Sequence, residues 1–172
     1  ENYYRFMYRQ NTSPSGLWSI PYKVINRINV LLGAIESGVI PASDELNQVK
    51  GEALALRALC HFDLLLTYGT PYLKDNGASL GVPLVDKVLL PNELPSRSTV
   101  AQGYTMVLKD LEDSKGLMSE NVVNGHFNRW AAKALLARVN LHKGDYDAAY
   151  NNAKDVVENG PYKLIENENY VA

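Results

Sequence analysis

The residues that first invite a chemical reading are aromatic. Tyr3, Tyr4, Phe6 and Tyr8 crowd the start of the chain, Asn11, Thr12 and Ser13 follow, and Trp18 stands just beyond. Aromatic faces pack on the C–H groups of a sugar ring, and nearby amides and hydroxyls hydrogen-bond its hydroxyls. Tyr3, Tyr4, Tyr8, Asn11 and Trp18 are therefore the candidate ligand contacts. The competing reading is a helix end whose rings pack into a core, with Trp18 as a packing anchor at a helix entrance. Glu52 and Arg57 form a second group, near the apolar face of a long helical pattern. Together with Arg138 they are read as structural, making buried or half-buried ion pairs or hydrogen bonds across helices.

Other chemistry has no foothold. His61, His126 and His142 have no metal-ligand spacing with one another or with Cys60. No nucleophile elbow, phosphate-binding loop or dinucleotide fingerprint occurs. Glycoside hydrolysis needs two positioned carboxylates, and the acids fall mostly on polar helix faces; Asp110, Glu112 and Asp113 read as a solvated face. No catalytic residue, cofactor or metal is expected.

The whole chain narrows the possibilities further. Its 172 residues suit one domain with a real core. A net charge of −2 and scattered basic residues give no electrostatic reason to expect a nucleic-acid partner. No apolar run reaches the ~18 residues of a membrane span. The lone Cys60 rules out an internal disulfide framework and reads as a small buried residue. The chain begins at Glu1 and breaks off on Tyr170-Val171-Ala172 without a stop signal. It reads as a piece of a longer protein.

The elements that must position these residues are helical. Ile25, Ile28, Leu32 and Ile35 form one face, ended by Ser37-Gly38. On that element Asn26 and Asn29 are poor helix formers, expected to hydrogen-bond between helices or to a ligand. Ser43 caps a longer pattern through Leu46, Val49, Ala53, Leu56, Cys60, Leu64 and Tyr68, stopped by Gly69 and Pro71. Residues 70–98 carry Pro71, Pro83, Pro91 and Pro95 with apolar stretches between. A connection of that length without its own helix is unusual, and its apolar content argues for an ordered strap across the helices. Thr99 and Gln102 make a capping box for a helix bearing Val100, Tyr104, Val107, Leu108 and Leu111.

Residues 128–161 hold two helices around the break Lys143-Gly144-Asp145. The first is apolar on nearly every face and must be covered on more than one side. The second presents Tyr146, Ala149, Ala153, Val156 and Val157 as a stripe toward its partner, and Asn159-Gly160-Pro161 stops it. This is the tetratricopeptide pattern of about 34 residues, with small residues at Ala137, Ala149 and Ala153, though Lys133 and Asn140 stand where aromatics are usual. An internal repeat supports stacking. Ala53, Leu54, Arg57 and His61 recur 81 residues later as Ala134, Leu135, Arg138 and His142. The expected architecture is all-α: a tetratricopeptide-like helix-pair solenoid over residues 1–172, with the strap at 70–98 between pairs.

Taken in order, several motifs resemble the SusD/RagB family of outer-membrane nutrient-binding lipoproteins. They are Trp18 with Tyr22, Ile25 and Asn26; Gly51-Glu52-Ala53, Leu56-Arg57-Ala58 and Tyr68-Gly69; Gly81-Val82-Pro83-Leu84-Val85; Arg97-Ser98-Thr99-Val100 with Tyr104 and Asp110-Leu111; and residues 131–139 followed by Gly144-Asp145-Tyr146. The resemblance covers roughly residues 18–165. It implies a lipid-anchored, non-catalytic protein on the cell surface, capturing oligosaccharides or sometimes peptides for import through a SusC-like TonB-dependent transporter. It implies a helical scaffold of which this chain is the N-terminal portion, with an anchoring cysteine outside it, since Cys60 is mid-helix. Family ligand residues vary, so the aromatic candidates rest on their chemistry alone, and Trp18 also matches a recurring scaffold tryptophan. The alternative is a tetratricopeptide scaffold that binds a peptide or protein partner in its concave face, using Arg57, Lys133, Arg138 and Asn140. The long strap argues against that, because plain tandem repeats have short turns.

Overall fold

The computed structural model describes residues 16–163. Five α-helices follow one another: α1 (Gly16–Glu36), α2 (Asp44–Tyr68), α3 (Val100–Leu117), α4 (Arg129–Lys143) and α5 (Tyr146–Asn159). Each packs chiefly on its neighbour in sequence, so the fold is a row of antiparallel helix pairs.

Local chemistry sets the helix ends. The Ser43 hydroxyl accepts the Leu46 N–H at the start of α2. Thr99 and Gln102 close a reciprocal capping box on α3. The Asp145 carboxylate accepts the Ala148 N–H at the start of α5, directly after Gly144, which ends α4 at φ 86°. An L side chain rarely adopts that left-handed conformation. Trp18 lies within the first turn of α1 rather than ahead of the helix.

The core sits where α2, α3 and α4 meet. Phe62, Val107, Leu111, Leu136 and Val139 are fully buried there, with Val82 and Val85 from the α2–α3 connection. Two glycines let α2 and α3 approach closely. A Cβ on Gly51 would lie 2.5 Å from Met118, and one on Gly103 would lie 2.7 Å from Leu65. Helix α4 is covered by α3 on one side and α5 on another, as its all-round apolar character requires.

Two expectations need correction. Asp110 does not face solvent with Glu112 and Asp113; it is 4% exposed. It lies between Val107 and Leu111 on the inner face of α3, where only a cationic partner makes a carboxylate tolerable. In α5 only Ala149 of the expected stripe is buried, while Tyr146, Ala153 and Val157 point outward. The small alanine permits close packing on α4, and Val156 is half-buried beside it.

Candidate functional site

Trp18 is the one proposed ligand residue within the described part of the chain; Tyr3, Tyr4, Tyr8 and Asn11 lie outside it. The indole is 40% exposed at the start of α1. It packs against two tyrosines, Tyr22 and Tyr68, that are not among the candidate ligand contacts. The Tyr22 ring, one turn further on, is 5.1 Å away and tilted, and the Tyr68 ring at the end of α2 meets it edge-on at 4.9 Å. Tyr22 is itself fixed, because its hydroxyl donates to the Pro83 carbonyl at 2.8 Å. Burial raises that phenol to about 12, which keeps it a donor. The result is a firmly backed aromatic surface in which Trp18 is exposed and Tyr22 and Tyr68 are half-buried. Such a surface can stack on the C–H face of a sugar and perform no covalent step. The signal for Tyr22 was its spacing of four from Trp18, which puts both on one helix face.

A second feature is a broad open cleft of about 1110 Å³ between α1, the first half of α2 and the end of α3. Leu31, Val49, Leu56 and Leu117 line its floor, and Glu52 and His126 stand at its rim. Glu52 pairs with the His126 imidazole at 3.1 Å and accepts from Gln48 Nε2 at 2.8 Å. Gln48 in turn fastens the α3–α4 loop, donating to the Phe127 carbonyl at 2.9 Å and accepting the Ser119 N–H at 2.8 Å. Its polar groups are thus committed to holding the loop.

Arg57 does not share a partner with Glu52. Its guanidinium forms a two-pronged pair with Asp110, Nε to Oδ2 at 2.7 Å and Nη2 to Oδ1 at 2.8 Å. Its remaining donor, Nη1, reaches the Asn29 Oδ1 at 2.9 Å and the Asp86 carbonyl at 3.1 Å. Asn29 Nδ2 completes the network on the carbonyls of Val85 at 3.1 Å and Lys87 at 3.0 Å. Asn29 therefore bonds between helices, while Asn26 is exposed. Arg138, the equivalent residue of the repeat, is exposed and lies over the Phe62 ring at 5.6 Å. His142 meets the same ring edge-on at 5.5 Å.

Among the described residues no cluster of His, Cys, Asp and Glu could hold a metal, and no helix is long and apolar enough to cross a membrane. Burial and the neighbouring Asp63 push the Cys60 thiol up to about 11, which makes it a poor nucleophile.

An all-α row of helix pairs with an aromatic surface and buried charges used for structure defines a binding scaffold. The comparisons give that class a family. A family model described as SusD-like, "Starch-binding associating with outer membrane", matches residues 2–141. The chain belongs to this SusD-like family, whose members are non-catalytic binding proteins. A SusD-like protein of Bacteroides ovatus is 30% identical over 166 residues, covering 89% of this chain and 29% of that protein. A SusD superfamily protein from Bacteroides thetaiotaomicron superposes with a TM-score of 0.85 at 46% identity, covering 89% of this chain and 34% of the other. A laminarin-binding SusD-like protein superposes with a TM-score of 0.77 at 27% identity, covering 88% of this chain and 33% of the other. The chain thus spans about a third or less of these relatives.

Proposed function

We propose that this chain is the helical scaffold portion of a longer, lipid-anchored cell-surface protein that captures oligosaccharides without chemical conversion. The captured glycan passes to a partner SusC-like TonB-dependent transporter for import. The observation that carries this reading is family membership, together with a half-open Trp18 backed by Tyr22 and Tyr68. The family description places members at the outer membrane, and one relative binds laminarin. In the same reading the helix pairs continue as a tetratricopeptide-like solenoid, and residues 70–98 act as a strap that ties successive pairs together.

Calorimetric titration of the intact protein with a panel of soluble oligosaccharides tests this. Binding of at least one glycan is expected, and Trp18→Ala should weaken it roughly tenfold, equivalent to ~1.4 kcal/mol. A glycan bound equally by W18A would remove Trp18 from the site. Binding of peptides but no oligosaccharide would favour a protein-binding scaffold instead.

A further inference from the structure

The α2–α3 connection makes an excursion whose two ends are held by different chemistry. At one end the backbone ties itself. The Gly81 N–H donates to the Ser98 carbonyl at 2.7 Å, the Ser98 N–H donates to the Val82 carbonyl at 3.1 Å, and Leu80 bridges Thr99. Arg97 adds Nε to the Gly81 carbonyl at 2.6 Å. Further along, residues 83–87 make no such backbone pairs among the described residues. Side chains of α1 and α2 hold them instead: Tyr22 on Pro83, Asn29 on Val85 and Lys87, Arg57 on Asp86, and His61 on Val85. Of these groups, His61 alone combines complete burial with a proton that can be gained in mild acid.

Both ring nitrogens of His61 are committed. Nδ1 lies 3.1 Å from the Arg57 carbonyl, which can only accept, so Nδ1 carries the hydrogen. Nε2 must then accept the Val85 N–H, 3.2 Å away. The ring is 0% exposed, so a second proton on Nε2 could not turn toward water. It would place two N–H donors face to face.

We propose that His61 is an acid-operated latch: protonation of Nε2 expels the Val85 N–H and loosens residues 83–87 on α1 and α2, while the helices stay packed. The self-tied segments 80–82 and 98–100 contain no titrating contact to the latch and act as its hinge. The surroundings fix the direction of the response. Tyr22 and Asn29 from α1 are uncharged. Arg57 from α2 opposes a second cation, whereas Asp110 from α3 and Asp86 from the connection favour one. Burial outweighs the carboxylates and holds the imidazole well below its ordinary range, so the latch is shut at neutral pH and opens in acid. Loosening exposes the Val85 backbone N–H and the buried Val85 side chain to solvent.

Amide hydrogen exchange on the intact protein, corrected for intrinsic rates, tests the latch. Between pH 7 and pH 4 the Val85 amide should lose at least about tenfold more protection than the Ala58 amide in the middle of α2. In His61→Gln the side-chain oxygen can still accept the Val85 N–H but does not titrate, so Val85 should keep its protection over the same range. Equal loss in wild type and H61Q would overturn the proposal. Side-chain NMR of His61 in the unaltered protein supplies an independent arm. An imidazolium that forms while Val85 stays protected would also overturn it.

Discussion

Helices α2 and α4 carry the same residues at the same spacing and use them differently. In α2, Arg57 and His61 are buried and every polar atom of theirs meets a named partner. In α4, Arg138 and His142 are exposed and lie against the faces and edges of one ring, Phe62. A helical repeat fixes which side of a helix a residue occupies. It does not fix what crosses that side. Residues 83–87 offer the Asp86 carbonyl to Arg57 and the Val85 N–H to His61, and α3 offers Asp110 to Arg57. Among the described residues no comparable segment crosses α4, and its arginine and histidine act through their flat surfaces, as a lid on an aromatic core residue.

The largest effect expected from that difference is at Asp110. Asp110→Ala leaves the buried Arg57 guanidinium without its carboxylate and should cost about 3–5 kcal/mol. Asp113→Ala on the same helix removes only an exposed pair with Lys109 and should cost under about 0.5 kcal/mol. Urea denaturation of both variants measures the contrast; similar losses would mean that the buried pair is not special.

Next comes the pH dependence of stability. Burial lowers His61 from 6.5 to about 4. Between those values the unfolded chain binds the proton and the folded chain does not. The contribution of His61 is therefore fully present above pH ~6.5 and is lost as pH falls toward 4, by about 3 kcal/mol at most. Denaturant midpoints taken across this range should show the loss in wild type and a flatter profile in His61→Gln.

The smallest effect is at the connection's first anchor. Tyr22→Phe removes one hydroxyl donor to Pro83 and should cost about 1 kcal/mol, read from the thermal midpoint. Because the ring remains, its packing against Trp18 should persist, and oligosaccharide affinity should be unchanged.

Much of this was legible in the sequence, for identifiable reasons. Helix ends were, because Ser43, Thr99 with Gln102, and Asp145 each cap through a bond made within a few residues. Family membership was, because it rests on motifs in a fixed order. Asp110 was not, because it sits in an acidic run with Glu112 and Asp113. Its angular position between Val107 and Leu111 was the available sign that it faces inward. The partner of Arg57 was equally hidden, since Asp110 lies 53 residues away in the chain. The outward turn of Tyr146 and Val157 shows that an apolar residue on an amphipathic helix need not be covered by the nearest neighbour. For the aromatic candidates, Trp18 was found by its type, while Tyr22 and Tyr68 emerge as its backing only once two helix ends meet.

The most direct measurement compares the two arginines of the repeat. Arg57→Leu and Arg138→Leu remove the same group from equivalent positions, and their unfolding free energies can be read in one denaturant series. Arg57→Leu should lose several kcal/mol, of order 3–5, because Asp110, Asn29 and the Asp86 carbonyl are left unpaired. Arg138→Leu should change stability by less than about 1 kcal/mol. Losses of equal size would contradict the claim that the partners brought to each helix, Asp110 and residues 83–87 in the case of Arg57, rather than the repeat itself, determine what these residues do.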